Sequence, residues 1–377
     1  MTTTDVLIVG GGMAGAAAGW HLARDGIGVT LLEREDQPGY HSTGRSAALF
    51  SETYGPTPIR RLSTASRPFL EDPPAGFSEH PLLTPRGLLV LTGEGEQATM
   101  ATHLQETRAN GADVQELDAD AIRDIVPILR PGIFTRGALE AAAMDIDVAA
   151  LHQGFLRGLK QAGGGIAVRA EVEAIRHAEG QWQVTLRGGE THAAPVLINA
   201  AGAWADEIAA LAGVRRIGLV AKRRTALTLD LPAGTDAGHW PMTGDLAETF
   251  YFKPDAGRLL LSPADATPVP PQDVQPEIED VAGVIDRFMQ VTTVEVERPG
   301  ETWAGLRSFV SDGSPVVGYE PDVPGFFWLA GQGGYGIQTA AALGAMTSEL
   351  VAGRDLPALY PRAELAPDRD GLERPSA

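Results

Sequence analysis

The 377 residues hold 30 Lys plus Arg against 49 Asp plus Glu, a net charge of −19, with 44% hydrophobic residues and no cysteine. The length suffices for one large or two ordinary domains, and the acidic balance argues against nucleic acid or an anionic membrane surface as a partner. The absence of cysteine removes disulfides, thiolate metal sites, cysteine nucleophiles and a cysteinyl-linked cofactor.

The chain starts Asp5-Val-Leu-Ile-Val-Gly10-Gly11-Gly12-Met13-Ala14-Gly15, and Glu33 closes Gly28-Val-Thr-Leu-Leu. This spacing predicts a strand, a glycine turn, a helix, a second strand and an acid, all in one βαβ unit. Gly10 permits the tight turn, Gly12 lets the backbone approach a pyrophosphate, and Gly15 lets helix and strand pack closely. A helix starting near Met13 and Ala14 aims free N–H groups and its positive dipole end at phosphate. Glu33 stands where a carboxylate accepts from ribose hydroxyls. A plain glycine-rich βα turn would leave that acid unexplained. No basic n-region or apolar h-region marks a signal peptide, and no apolar run has the length of a membrane span. A cytoplasmic location is expected.

Further along, His41-Ser-Thr-Gly-Arg-Ser-Ala-Ala48 reads as a helix start lying against a ligand. Ile59–Leu70 reads as a helix, Gly87–Thr92 as a strand of another sheet, and Glu94–Asn110 as a helix. Asp147 is a candidate N-cap for a helix over Val148–Ala162, ended by Gly163-Gly-Gly165. Ile166–Glu173, Gln181–Leu186 and Thr191–Ile198 read as strands. Asn199-Ala-Ala-Gly202-Ala-Trp204 is a small-residue turn. Val214–Leu229 and Glu248–Ser262 alternate as antiparallel strands do, Pro263–Pro276 is a loop, and Ile278–Val291 is a helix. Val294–Trp303 and Phe326–Ala330 read as strands. The second feeds the turn Gly331-Gln-Gly-Gly-Tyr-Gly-Ile337, and Gln338–Val351 follows as a helix. The pattern predicts an α/β protein. A Rossmann-type cofactor domain is expected from 1–80, 145–215 and 305–377, and an antiparallel-sheet substrate domain from 81–144 and 216–304.

The Gly10–Gly15 turn with Glu33, the His41–Ala48 segment, Asn199–Trp204, and Trp303–Ser308 ahead of Gly331–Gln338 span the chain. Together they resemble the flavin-dependent D-amino-acid oxidase superfamily. Lys222-Arg-Arg224, Phe250-Tyr251-Phe-Lys-Pro254 and Thr302-Trp-Ala-Gly-Leu-Arg307 are most similar to the bacterial D-arginine dehydrogenases within it. The resemblance implies noncovalent FAD and oxidation of a D-amino acid to its imino acid by hydride transfer to flavin N5. Its electron acceptor would be a quinone or respiratory chain, or oxygen. Gly10, Gly12, Gly15 and Glu33 would serve the nucleotide, with Met13, Ala14 and Thr43 beside them and Arg34 flanking the adenine. Ser42, Arg45, Ser46 and Ala47 would reach phosphate or flavin, although Arg45 also reads as an exposed arginine after a turn. Val172 would clasp the adenine, and Ala201, Gly202 and Trp204 would leave room for the cofactor. Gly333, Gly334, Tyr335, Gly336 and Ile337 would face the flavin pyrimidine edge, where a helix N-terminus stabilises the negative charge of the reduced ring.

A substrate carboxylate needs a cation with a fixed fork. Arg307 is the first candidate, against the bland reading of a surface ion pair. Arg224 is the second, because alternation lets only one of Arg223 and Arg224 face the cofactor. Tyr251 and Tyr54 would donate hydroxyls or close the site, and Gly334 would complete it. Where the resemblance implies an acid after the Pro-Arg turn and a histidine after Ser-Ala-Ala, this chain has Leu88 and Leu49. Both point to a neutral, apolar substrate side chain. A nearby acid such as Glu52 could still swing in. No buried acid is expected near the site, His152 reads as structural, and the histidines show no metal spacing. The rivals are an oxygen-using oxidase of glycine or N-methyl amines, a nonredox FAD-binding protein, and a nicotinamide dehydrogenase, which leaves the Gly331 turn without a role.

Overall fold

The computed structural model describes residues 2–375 other than 110 and 112. At its centre lies a six-stranded sheet in the order Gly165–Ala167, Val29–Leu32, Val6–Val9, Val196–Asn199, Phe326–Ala330, Val316–Tyr319. All neighbours are parallel except the last pair. The strand Val6–Val9 is apolar throughout because both its faces are covered. Val6 and Ile8 meet the helices Met13–Arg24 and Ala340–Val351, while Leu7 and Val9 meet a core with Trp182, Phe326 and Trp328. Trp182 belongs to a four-stranded sheet of Thr2–Thr3, Thr191–Ala194, Gln181–Leu186 and Val172–Ala178.

A second large sheet has eight strands. Their order is Thr302–Phe309, Val220–Leu229, Arg258–Ser262, Tyr251–Asp255, Met242–Asp245, Leu88–Thr92, Arg136–Glu140, Gln115–Asp118. Pairing is antiparallel except between Met242–Asp245 and Leu88–Thr92. Alternation sorts its two faces. Leu227, Leu229, Phe252, Leu259 and Leu261 pack with Val284 and Phe288 of the helix Ile278–Val291. The other face carries Arg224, Ala226, Tyr251 and Arg307, which line a cleft shared with the glycine turn at Gly10. A three-stranded sheet of Leu49–Phe50, Met144–Ile146 and Leu83–Pro85 lies between the two halves. Its Asp145 holds Lys253 of the large sheet at 2.8 Å and Arg86 at 2.7 Å.

Several elements differ from expectation for local reasons. Thr191–Ile198 is two strands in different sheets, because Pro195 cannot continue the ladder. Ile166–Glu173 is likewise divided into Gly165–Ala167 and Val172–Ala178, with Arg169 between them at φ +54°. Residues 294–301 form no strand, and the strand begins at Thr302. It runs unbroken to Phe309 in the large sheet, so a boundary at 305 would cut an element. His41–Ala48 holds only a 3-10 turn over Thr43–Arg45, and the last long helix starts at Ala340. Asn110, the expected helix end, lies outside the described residues, and the described helix is Gln97–Ala109. Asp147 caps its helix as expected, accepting from the Ala150 N–H at 2.8 Å.

Candidate active site

The cleft begins where the first strand ends. Gly10 adopts φ +110°, and a Cβ there would sit 2.3 Å from the Ala200 carbonyl oxygen. Gly15 is required for packing: its Cβ would lie 2.0 Å from the Gly10 carbonyl oxygen. Gly10, Gly12, Met13 and Ala14 line the cleft, whereas Gly15 does not. Glu33 also lines it, and its carboxylate accepts from the N–H groups of Gly11 and Glu35, both at 2.9 Å. The acid therefore ties down the turn as well as facing the cleft. Thr43 Oγ1 accepts from the Met13 N–H at 3.0 Å, which occupies one of the helix N-terminal donors expected for phosphate. His152 Nε2 donates to the Gly11 carbonyl at 2.9 Å, and burial lowers its pKa, so it braces the turn as a neutral ring.

At one end of the cleft, the Arg34 guanidinium lies 4.0 Å over the Trp204 ring and donates to Glu35 at 2.8 Å. His41 packs on the same indole at 4.7 Å, and Val172, Ala201 and Gly202 complete the wall. Such flat cationic and aromatic groups suit a purine. Ser42, Arg45 and Ser46 line the cleft, but their polar atoms are used within the protein. Ser42 Oγ donates to the Leu306 carbonyl at 2.7 Å, and Ser46 Oγ accepts from the Ala48 N–H at 3.2 Å. Arg45, expected at phosphate or flavin, lines the cleft with its terminal nitrogens engaged by the protein. Its guanidinium donates to the carbonyls of Val274 and Ala304 and pairs with Asp273 of the proline-rich loop. Nor is it merely exposed, with a side chain only 14% accessible.

At the other end, Arg224 and Arg307 project from neighbouring antiparallel strands. In their register Arg224 opposes Gly305 and Lys222 opposes Arg307, so both arginines share the cleft face. Arg223 points away and is held by Asp265 at 3.2 Å, Glu277 at 2.9 Å and Asp280 at 2.6 Å. Among the described residues, neither Arg224 nor Arg307 pairs with an acid, and Arg224 Nε is buried without a hydrogen-bond partner. Burial and the neighbouring Arg307 charge both pull Arg224 below its ordinary pKa. Burial also opposes the Arg307 charge, but the phenols of Tyr251 and Tyr54 beside it outweigh that and hold it high. Two adjoining cations and an unmet donor make a site for an anion with two acceptor atoms.

Tyr251 is 9% exposed and lines the cleft. Tyr54 does not line the cleft; it is 38% exposed, with its ring 5.0 Å from that of Tyr335 and its phenol beside Arg307. The second glycine turn closes over this end. A Cβ at Gly333 would strike the Phe309 ring at 2.4 Å, and one at Gly334 would lie 3.0 Å from Arg307 Nη1. Gly333, Gly334, Gly336 and Ile337 line the cleft, as does Ala47. Tyr335 does not: its ring is taken up by Tyr54 and Phe309, and burial pushes its pKa up to about 12.

Sequence reasoning missed one acid. Glu140 is 7% exposed and sits directly opposite Leu88 in the sheet. Both share the face of Met242 and Tyr251. Its carboxylate accepts from Ser51 Oγ at 3.0 Å and Thr53 Oγ1 at 2.6 Å, and burial raises its pKa. The strand Arg136–Glu140 has no clear alternation to announce it. Glu52 is held by Arg67 at 2.6 Å.

Residues 5–350 match the family described as FAD dependent oxidoreductase, the DAO family. A glycine oxidase of Geobacillus kaustophilus is 26% identical over 360 residues, which cover 92% of each chain. The FAD-dependent oxidoreductase domain-containing protein 1 of Bos taurus is 24% identical, over 92% of this chain and 81% of that one. Among solved structures, L-proline dehydrogenase from P. horikoshii superposes with a TM-score of 0.83 at 21% identity, covering 97% of both chains. Iminodiacetate oxidase from Chelativorans gives 0.82 at 23%, over 96% of this chain and 99% of that one.

Proposed function

The chain belongs to the DAO family of FAD-dependent oxidoreductases, and from that premise we propose that it oxidises a D-amino acid with a neutral, apolar side chain to the imino acid. The observation that carries this reading is the unpaired Arg224 and Arg307 at one end of a cleft whose other end is a dinucleotide cradle. The cradle fits FAD: the Gly10 turn leaves backbone space that a Cβ would fill, and the Arg34–Trp204 wall suits the purine. With no cysteine available, noncovalent binding is our reading.

When bound, FAD supplies at N5 the acceptor for the hydride that leaves the substrate α-carbon. The protein supplies position. Arg224 and Arg307 hold the carboxylate, Tyr251 and Tyr54 add hydroxyls, and Gly334 carries no side chain to crowd the Arg307 fork, since a Cβ there would lie 3.0 Å from Nη1. Fixing the carboxylate supplies the proximity contribution. The amine must be neutral so that its lone pair can form the imine, and the imino acid then hydrolyses in water. The side chain extends toward Leu88, Leu49 and Met242. The nearest acid there, Glu140, is turned to Ser51 and Thr53.

The glycine oxidase relative favours a second reading, in which glycine or an N-methyl amine is oxidised with oxygen. Turnover of D-leucine, D-methionine and glycine, each with an artificial quinone and with oxygen, separates the two. D-leucine turnover with quinone and little peroxide supports the first reading. Glycine turnover with stoichiometric peroxide replaces it with the second.

A further inference from the structure

Glu140 takes no direct part in holding the proposed substrate carboxylate. It is a buried carboxylate with no ion-pair partner among the described residues, an arrangement that costs stability unless its acceptors are met. They are met by side chains of one short segment, Ser51 Oγ at 3.0 and 3.1 Å and Thr53 Oγ1 at 2.6 Å. Within that segment the Thr53 N–H donates to Ser51 Oγ at 3.2 Å. The Ser51 N–H donates to Gln338 Oε1 at 3.2 Å, and Gln338 Nε2 donates to Ser63 Oγ at 2.9 Å. Gln338 directly follows the second glycine turn. The segment at 51–55 is thus tied to the large sheet through Glu140 and to the residue after the second glycine turn through Gln338.

The residue after Thr53 is Tyr54, which faces Arg307. Gly55 follows at φ +91°, with the Tyr335 ring 2.9 Å from where a Cβ would stand. We propose that Glu140 is a positioning residue: by accepting from Ser51 and Thr53 it fixes the segment so that the Tyr54 hydroxyl is presented to Arg307 and to the anion held there. This rests on the reading of Arg224 and Arg307 as a carboxylate clamp. The chemistry explains why an acid stands at this position. An ionised carboxylate only accepts, so both hydroxyls must donate to it and their rotors are set. A glutamine would turn an NH2 group toward one of them, and that hydroxyl would have to reverse and accept, so the fixed rotor pattern would be lost. The acid lies opposite Leu88, on the sheet face that also bears Tyr251, so the anchor stands on the large sheet rather than on a loop.

The test uses the FAD-loaded protein and benzoate as a monocarboxylate probe, with its dissociation constant read from the change it causes in flavin absorbance. Glu140→Gln and Tyr54→Phe are each expected to weaken benzoate by about tenfold. The double variant is expected to bind no more weakly than Tyr54→Phe alone, because the acid acts only through the tyrosine. Hydrogen exchange in Glu140→Gln is expected to rise over 51–55 while the helix Thr57–Glu71 stays protected. Should that variant fail to fold, Thr53→Val removes one of the two donors and is expected to move both readouts in the same direction. A fall in Tm with benzoate affinity unchanged overturns the proposal, as does an additive double variant or unchanged exchange. If benzoate leaves the unaltered protein's flavin untouched, the carboxylate clamp fails instead, and the exchange result alone decides whether Glu140 holds the segment.

Discussion

Arg224 and Arg307 are the proposed carboxylate clamp. Among the described residues neither pairs with an acid, and the Arg307 charge adds to the cost of keeping Arg224 charged, so an incoming carboxylate would relieve it. Arg307→Ala should lower kcat/KM roughly a hundredfold, on the order of 3 kcal/mol of lost charge-assisted pairing. The visible flavin spectrum should persist. Steady-state kinetics beside an absorbance scan checks this, and an unchanged kcat/KM would show that another group holds the carboxylate. The side-chain end gives a second expectation. On the proposal that Leu88 and Leu49 stand beside the substrate side chain, and with Glu140 committed to Ser51 and Thr53, a cationic side chain would be desolvated without a partner. D-leucine or D-methionine should therefore outperform D-arginine in kcat/KM by roughly 2 kcal/mol or more. A win for D-arginine would mean that Glu140 abandons its hydroxyl partners for substrate, or that Leu88 lies outside the pocket.

At the scale of the element, the first glycine turn is the most constrained piece of the chain. Gly10→Ala places a methyl against the Ala200 carbonyl in a backbone conformation that disfavours any side chain. The purified variant should lack yellow colour and fail to take up FAD, which absorbance and fluorescence titration would show. A fully loaded variant would mean that the strand ends can part without loss of the site. The helix that follows carries a second testable feature. His21 is half-buried on it among Trp20, Phe69 and Phe155, and desolvation, with Arg24 adding to it, lowers its pKa to about 4. Because the folded pKa lies below the unfolded 6.5, the unfolded chain binds the proton more readily. The contribution is therefore intact above pH 6.5 and is lost as pH falls toward 4. The full loss is about 3 kcal/mol. Chemical denaturation at pH 7 and pH 4.5 should show a smaller difference in His21→Phe than in the unaltered protein. An identical pH dependence would contradict the assignment.

For the whole molecule, the parts legible in the sequence were those in which one residue type has one physical use. The Gly10–Gly15 turn, the Asp147 cap and the Arg223/Arg224 alternation each follow from a local rule, and the structure places them accordingly. What escaped was set by partners far away in the chain. Nothing near Arg45 shows that Asp273 and two carbonyls will take its guanidinium. The strand holding Glu140 is short and half-covered, so neither periodicity nor motif reveals an acid opposite Leu88. The split at Pro195 was readable from the proline's missing donor, but the transfer of the next residues to a different sheet was not. The cleft joins residues from near 10 to near 337, and only the assembled sheets show that the cradle and the arginines face one space. Among the described residues, no helix is long and apolar enough to cross a membrane.

In the proposed reaction this cleft holds FAD beside a carboxylate clamp and a D-amino acid gives up a hydride there. The most direct measurement is anaerobic mixing of the FAD-loaded protein with single amino acids while the visible flavin absorbance is followed. The account predicts bleaching by D-leucine or D-methionine, little by their L-enantiomers, and loss of that bleaching in Arg307→Ala. A flavin that stays oxidised with every D-amino acid, or that is bleached by L-enantiomers instead, would contradict it.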